Sequence, residues 1–157
     1  MENGKPLGLR PISFSDLEMV HIESGLMAYG AEATGENTPW EIDFGWVVSR
    51  TKGNFRGREA LFALEGKEKV KLRGLVADRD VVVEYFAELS IGGEKVGFVT
   101  TPAYSKRLGQ SLALVHVAPS AAEPGTRVEL KGPTIQCPAT IASIPFVDPE
   151  RKRMHAM

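Results

Sequence analysis

The chain has 157 residues, which is enough for one ordinary domain or two small lobes with a buried core. Its 19 Lys and Arg residues nearly balance its 20 Asp and Glu residues, so no field of one sign exists to attract nucleic acid or an anionic membrane. The single cysteine excludes an internal disulfide and a cysteine-based metal cluster, and there is neither a leader pattern nor an apolar run near the ~20 residues that span a bilayer. We therefore expect a soluble, cytoplasmic protein.

The first predicted element is a short helix. Residues 1–11 combine charges with proline and glycine and predict an exposed lead-in. A serine cap and an acidic first turn then favour a helix over Ser13–Met19. The β-branched Val20 and Ile22 favour an extended segment after it, which would place Glu23 on a strand.

A second helix is predicted over Phe55–Leu64, with Asn54 as its cap and Gly66 ending it. Between the two helices, Ala31–Pro39 is rich in turn residues and predicts a loop. The apolar segment Trp40–Val48 follows this loop.

The charged run Glu65–Lys71 predicts a solvated linker, with a lobe boundary near Lys69. Beyond it, short β-like segments alternate with turns, and Gly92-Gly93 predicts a hairpin. Seven short strands with no long helix between them predict an antiparallel Greek-key barrel or sandwich, so the fold class is α+β, mainly β. The predicted strands are Lys71–Ala77, Val81–Tyr85, Leu89–Ile91, Lys95–Thr101, Ser111–Val117, Arg127–Leu130 and Pro138–Ile144.

Two further features lie within this β region. Cys137 is expected to be a small buried strand residue, as free cysteines usually are. Thr101–Gln110 is expected to be a polar loop, either plain surface or a loop that folds over a neighbouring cleft.

The chain lacks the motifs of zinc hydrolases, serine hydrolases and nucleotide-binding enzymes. His21, His116 and His155 are scattered, so we expect no metal site built from them.

The strongest functional signal is the run Val20–Leu61. It contains, in order, VHIESG, Tyr29-Gly30, TPWEIDFGWVV and KGNFRGREAL. This series resembles the glycine cleavage T-protein (aminomethyltransferase) family, including the folate-binding portions of dimethylglycine and sarcosine dehydrogenases. The family pattern here is L-R-[LI]-E-x-G, then Y-G, then T-P-x-E-x-G-L-x-W-x-V, then K-x-x-F-x-G-[KR]-x-A-L. Several linked motifs in the right order make the resemblance specific.

The resemblance implies a domain organisation. Residues 1–68 would be the C-terminal portion of the folate-binding domain, a small α/β lobe. Residues 69–150 would form a jelly-roll-like C-terminal β-barrel domain, and residues 151–157 a basic, solvated tail. The resemblance covers essentially this whole chain but less than half of a family member. The start resembles a mid-protein stretch, so we expect that Met1 is not the natural start.

The implied function is transfer of a one-carbon unit from a small amine- or methyl-bearing donor to tetrahydrofolate. The protein partners it implies are a lipoyl carrier protein or the family's N-terminal half. The aspartate central to the family's chemistry lies in that half, so no catalytic residue is assigned in this chain.

Two alternatives remain open. The chain could be a noncatalytic binding or regulatory remnant that uses an exposed face around Phe14, Trp40, Phe44 and Trp46. It could also end a folate-linked flavin dehydrogenase, for which the terminal PFVDPERKR gives weak support, although no flavin fingerprint is present.

Four residues are candidates for contact with folate. An unpaired buried carboxylate is costly, so Glu23 needs a donor partner or a ligand, and the resemblance implies contact with the pterin-like ring. Tyr29 and Trp46 are either core aromatics or ring-stacking walls. His21 is either a ligand-facing replacement for an arginine or a packed imidazole.

The family commonly has arginine where this chain has Leu17 and His21. Arginine binds carboxylates with two fixed hydrogen bonds, and histidine replaces it poorly near neutral pH. This departure leaves the donor substrate open.

Two acids of the TPWEIDFGWVV motif have two possible roles. Glu41 and Asp43 either face solvent on alternate strand positions or have a function in the site.

Overall fold

Six antiparallel strands close into a barrel in the second half of the chain. The structure, a computed structural model, describes residues 2–150 and residue 152. The strands are β1 Lys71–Ala77, β2 Glu88–Ile91, β3 Glu94–Ser105, β4 Gln110–Val117, β5 Arg127–Lys131 and β6 Gln136–Ala142. Their order around the barrel is β1-β4-β3-β2-β5-β6. Strands β2, β3 and β4 are successive neighbours and β1 lies beside β4, which is a Greek-key arrangement. The predicted fold class, mainly β with an antiparallel Greek-key barrel, is confirmed.

The barrel closes because alternate residues of its strands are apolar and point inward. Strand β5 follows this rule, with Val128 and Leu130 buried between exposed neighbours. Strand β4 departs from it, since every residue from Ser111 to Val117 is buried. Its two faces pack against different cores. The barrel core includes Leu75, Leu89, Val99, Ala113, Val115, Val117, Val128, Leu130, Cys137, Ala139 and Ile141.

The hairpin between β2 and β3 confirms the prediction from Gly92-Gly93. Both glycines have positive φ, 59° and 87°, which a two-residue turn between antiparallel strands requires. Cys137 is also as predicted, buried in β6 with 4% of its surface exposed.

The first helix, α1, spans Phe14–Glu23 and is longer than predicted. Its capping box is formed: the Ser13 hydroxyl accepts from the Asp16 amide at 3.0 Å, and the Asp16 carboxylate accepts from the Ser13 amide at 3.2 Å. The helix runs through Val20 because Ile22, only 1% exposed, packs on the barrel, and that burial outweighs the weak helix propensity of β-branched residues. Glu23 therefore lies on a helix, and its predicted strand position was wrong.

Gly25 is the residue that ends α1. It has φ +62°, its amide donates to the Ile22 carbonyl at 2.9 Å, and the Leu26 amide donates to the His21 carbonyl at 3.0 Å. These two bonds form a Schellman motif, which favours glycine at the left-handed position.

The second helix, α2, spans Arg58–Ala63 and is shorter than the predicted Phe55–Leu64. It starts after Gly57, whose φ of +82° makes it the N-cap in place of the predicted Asn54. The segment Trp40–Val48 forms turns and a short 3-10 helix over Gly45–Val47. Another 3-10 helix spans Glu2–Leu7. Residues 2–70 thus hold helices and turns with a single isolated bridge, and the extended segments expected there do not form.

The barrel has six strands, and the predicted strand Val81–Tyr85 is not among them. This segment buries Val83, and Glu84 within it accepts hydrogen bonds from the Thr134 hydroxyl at 2.6 Å and amide at 3.2 Å, between β5 and β6, instead of the segment pairing as a strand. Strand β3 instead continues to Ser105, which pairs with Gln110. The predicted loop Thr101–Gln110 is therefore mostly strand, with only a short turn at its end.

The predicted tail 151–157 lies outside the described residues, apart from Lys152. Within the described residues, no helix combines the length and apolar character needed to cross a bilayer.

We expect the substitution Gly97→Ala to destabilise the barrel by about 1–3 kcal/mol, because the interior has no room for extra atoms. A Cβ at Gly97 would lie 2.9 Å from the Cα of Val117 and would also meet the His116 carbonyl. Urea unfolding, followed by tryptophan fluorescence, measures the change. The matched control is Gly53→Ala, since a Cβ there has no atom within 4 Å. Equal stability of the two variants would contradict the close β3–β4 pairing at this point.

Candidate functional site

The segment before the barrel packs on the outer faces of β1 and β4. Leu112 and Leu114 point outward from β4, alternating with the inward residues of the same strand. They join a second apolar core that the barrel shares with α1 and the turns after it. This junction core contains Ile22, Ala33, Ile42, Leu72, Leu112 and Leu114. Side chains of both parts of the chain therefore hold the site residues in place.

Glu23 lies at the C-terminal end of α1, with 6% of its surface exposed. Its Oε1 accepts a hydrogen bond of 2.5 Å from the hydroxyl of Ser105 on β3. Its backbone carbonyl accepts from the Val147 amide at 3.0 Å. Within the described residues, Oε2 accepts no hydrogen bond, so a buried carboxylate keeps one oxygen for a further donor.

Glu32 is a second buried carboxylate, with 1% of its surface exposed, and the sequence analysis did not select it. Its Oε1 accepts from the Thr101 hydroxyl on β3, and its Oε2 accepts from the Ala28 amide at 2.8 Å. Both oxygens are satisfied, so Glu32 joins the N-terminal segment to the barrel. Glu32 lies between two alanines in the sequence. A single acid among small and apolar residues was the pattern by which Glu23 was chosen, and the same pattern could have identified Glu32.

His116 on β4 completes the contact with this segment. Its Nε2 lies 2.9 Å from the Glu32 carbonyl and therefore donates to it, and its ring meets Phe98 edge-on at 5.7 Å. Burial lowers the pKa of His116 below its usual 6.5, although the hydrogen bond to Glu32 and the nearby carboxylates oppose this. The imidazole is consequently neutral at pH 7.

Glu41 is a third buried acid, and it is not on a solvent-facing strand position as considered above. It accepts hydrogen bonds from the Thr38 amide at 2.8 Å and from the Lys69 amide at 3.0 Å. Burial alone would raise the pKa of Glu41, but these hydrogen bonds outweigh it and the pKa is lowered. Asp43 is exposed and pairs with Arg73 at 2.5 Å. Both acids thus have structural partners.

The other three predicted contact residues lie apart from this buried network. His21 is half-buried, and it is two residues from Glu23 on α1, so the two side chains point about 160° apart around the helix. Tyr29 is 85% exposed and Trp46 is 78% exposed, so neither is a core aromatic. No hydrogen bond or ring contact among the described residues joins the four predicted side chains to one another.

The exposed aromatic face expected around Phe14, Trp40, Phe44 and Trp46 forms only in part. Trp40 is buried, stacks at 5.9 Å on Phe62, and donates from Nε1 to the Leu61 carbonyl at 3.0 Å. Trp40 therefore anchors α2 and contributes nothing to the surface. Phe14 is 74% exposed and Phe44 is half-buried against Trp46.

A cationic turn follows this region. Two open clefts of about 430 and 460 Å³ are lined by residues of this turn, between positions 50 and 60. Arg50 pairs with Glu65 and also lies over the Phe62 ring at 5.4 Å, whereas Lys52 and Arg56 are exposed. The turn thus presents positive charge to solvent. The described part of the chain contains no cluster of acids, histidines and cysteine suited to a metal ion, and His155 lies outside it.

The substitution Glu32→Ala should destabilise the protein by roughly 2–3 kcal/mol, because it leaves buried donors on Thr101 and Ala28 without an acceptor. Glu36→Ala is the control, since Glu36 is exposed and should tolerate the change. Chemical denaturation of both variants gives the comparison. A loss no larger than that of the control would show that Glu32 does not hold the two parts together.

The stability of the protein should fall with acidification because of His116. The unfolded chain takes up a proton below pH 6.5, whereas the folded imidazole resists protonation until a lower pH. The contribution of His116 to the free energy of unfolding is therefore fully present above the pKa that the residue has in the unfolded chain. It is lost as the pH falls through the pKa of the folded protein. His116→Gln keeps an N–H donor without titrating, so its unfolding free energy should vary less between about pH 7 and pH 5. An identical pH dependence in the two proteins would rule out His116 as the responsible group.

Comparison with known proteins supports the predicted family. Residues 71–148 match the glycine cleavage T-protein C-terminal barrel domain. The γ subunit of a heme-dependent oxidative N-demethylase from Ectopseudomonas mendocina is 31% identical, over 99% of this chain and 44% of that protein. A trimethylamine-oxide aldolase from Ruegeria pomeroyi is 35% identical, over 97% of this chain and 20% of that protein. An aminomethyltransferase from Saccharopolyspora erythraea is 34% identical, over 92% of this chain and 40% of that protein.

The chain spans less than half the length of each of these relatives. Among solved structures, the glycine cleavage system aminomethyltransferase T from Bartonella henselae matches with a TM-score of 0.77 and 23% identity, over 83% of this chain and 37% of that chain. That likeness shows the fold. The linked motifs, the barrel match and the curated relatives together place this chain in the glycine cleavage T-protein (aminomethyltransferase) family, to which it belongs through its C-terminal barrel domain.

Proposed function

We propose that the chain forms the folate-facing wall and the C-terminal barrel of a tetrahydrofolate-dependent one-carbon transferase, with an amine or methyl compound as donor. The observation that carries this proposal is the open Oε2 of Glu23, since this residue is 6% exposed and its Oε2 accepts no hydrogen bond from the described residues. The pterin ring of a folate presents adjacent N–H donors along one edge, and a carboxylate is their natural acceptor. The donor chemistry of the ligand therefore fits the group that the protein offers.

In this proposal Glu23 binds and orients the ring. Ser105 holds Oε1 at 2.5 Å and so limits the directions that Oε2 can take. Because Glu23 is only 6% exposed, little water can compete for the same donors. When bound, tetrahydrofolate supplies the nitrogen that receives the one-carbon unit. The contribution of this chain to the rate is then positioning, which can account for much of an enzyme's rate acceleration.

The cationic turn gives the proposal a second contact. A folate carries carboxylates on its glutamate tail, and Lys52 and Arg56 are exposed cations beside open clefts. These cations belong to the KGNFRGREAL motif, which this chain retains. The arginines that the family commonly has at two earlier positions are replaced here by Leu17 and His21, so Lys52 and Arg56 are cations that this chain still offers. We assign them to the tail and Tyr29 or Trp46 to the ring face, since both aromatics are exposed.

The groups that act on the donor would come from protein beyond these residues, because no catalytic residue is assigned here. The outer face of α1 has room for such a partner: Phe14, Leu17 and Val20 are each at least half exposed. The relatives are longer than this chain, and one of them is named as a subunit. We propose that a family N-terminal half, or a partner such as a lipoyl carrier protein, completes the site.

We also propose a division of the chain at residues 68 and 69, with the folate-binding portion before it and the barrel domain after it. The start of β1 at Lys71 supports this division. The proposal includes a cytoplasmic location, with which a single buried cysteine at position 137 is compatible.

A noncatalytic binding module is the second candidate. The observation in its favour is the exposed apolar surface of Phe14, Leu17 and Trp46, which would be the contact surface in that case. Folate binding by the chain itself distinguishes the two candidates, because only the first requires it.

The substitution Glu23→Gln should weaken binding of tetrahydrofolate by about tenfold or more, because a charge-assisted hydrogen bond is replaced by a neutral one. Thermal stability should change little, because the amide oxygen still accepts from the Ser105 hydroxyl. Isothermal titration and a thermal melt of each protein give both quantities. Glu36→Gln, an exposed acid, is the control. Unchanged affinity would remove Glu23 from the site, and a chain with no saturable binding would favour the noncatalytic module.

A further inference from the structure

A cleft of about 380 Å³ lies between α1, the end of β3 and the turn before β2. Its volume is within the range of sites for small molecules. Glu18 and Met19 come from the helix, Tyr104 and Lys106 from the barrel, and Val82 and Tyr85 from the turn. Neither Glu23 nor any other residue assigned to folate lines it, so the cleft is a separate site.

The charges around the cleft leave one carboxylate without a partner. Asp16 is committed to the cap of α1, where it accepts from the Ser13 hydroxyl at 2.6 Å. These hydrogen bonds lower the pKa of Asp16, and the charge of Lys106 adds to the effect, so the lysine acts on Asp16. Glu18 is half-buried and forms no hydrogen bond or ion pair within the described part of the chain. The cleft is lined by two carboxylates, Asp16 and Glu18, and by one cation, Lys106, so its formal net charge is negative.

Aromatic and apolar groups form the rest of the cleft. Tyr85 is half exposed and Tyr104 half-buried, and neither hydroxyl forms a hydrogen bond with the described residues. The pKa of Tyr85 is raised, first by burial and then by the charges of Glu18 and Glu32. Met19, Val82 and Ala103 give the cleft an apolar lining.

A carboxylate, tyrosine rings and an apolar lining are together the chemistry that recognises an organic ammonium ion. An inorganic cation would gain nothing from the apolar lining, and an anion would face two carboxylates, Asp16 and Glu18, against the single cation Lys106. We propose that this cleft is a binding site for a small alkylammonium ligand, held by the Glu18 carboxylate and the side chains of Tyr85 and Tyr104. The site goes beyond the proposed folate wall and does not depend on it.

The test uses choline as the probe and its uncharged carbon analogue, 3,3-dimethylbutan-1-ol, as the matched control. Each is titrated into the isotope-labelled chain at constant ionic strength while amide chemical shifts are recorded. Choline should shift the signals of Glu18, Met19, Tyr85 and Tyr104 saturably, with a Kd on the order of millimolar. The analogue should bind at least about fivefold more weakly, because it fills the same space without the charge. Equal binding of the two, or no saturable shift with choline, would overturn the proposal.

Substitutions at two positions of the cleft, Glu18 and Tyr85, assign the contacts. Glu18→Gln should weaken choline binding at least about fivefold, while Glu36→Gln should leave it unchanged. Tyr85→Phe keeps the ring and should retain binding, whereas Tyr85→Leu should lose it. If Glu18→Gln does not fold, the choline and analogue comparison in the unmodified chain still decides the question. Unchanged binding in a folded Glu18→Gln protein would show that the cleft is not an ammonium site. Folate binding should be unaffected by these substitutions, which separates this proposal from the preceding one.

Discussion

Buried carboxylates determine how the two parts of this protein fit together. A carboxylate withdrawn from water is costly unless hydrogen bonds replace its hydration. Glu32 meets this requirement only when the N-terminal segment and the barrel are in one arrangement, because its donors come from Ala28 on one side and Thr101 on the other. His116 reinforces the same arrangement through the Glu32 carbonyl. Apolar contacts alone would tolerate some sliding of one part on the other, and these directional bonds do not.

Strand β4 links this junction to the barrel interior. Leu112 and Leu114 face the junction core, while Ala113, Val115 and Val117 face the barrel core. A shift of one residue in the β4 register would exchange the two sets. The β4 pairing with β1 and β3 therefore fixes both cores at once, and with them the position of Ser105, which holds Glu23.

Short-range patterns in the sequence were sufficient to predict several features of the structure. The Gly92-Gly93 hairpin, the burial of Cys137 and the family motifs are each encoded within a few neighbouring residues. The same approach failed at Val20, where packing of Ile22 extends the helix, and it missed Glu32. The partners of Glu32 are 69 and 84 residues away along the chain, at Thr101 and His116, and no local pattern contains that pairing. Glu23 was found because a family motif marks it, although its strand assignment was wrong and its Ser105 partner is 82 residues away.

The end of α1 has a consequence for the order in which the protein is made. Its last carbonyl accepts from the Val147 amide, and Gly25 lies where a side chain would meet Ile144 and Pro145. During synthesis the helix emerges more than a hundred residues before these contacts exist. Until β1 and β4 have been made, Ile22 has no barrel strands to pack on, so this part of the nascent chain carries exposed apolar surface. The helix is therefore made well before the residues on which its end packs, and it reaches its final environment only after residues 144–147 have been made.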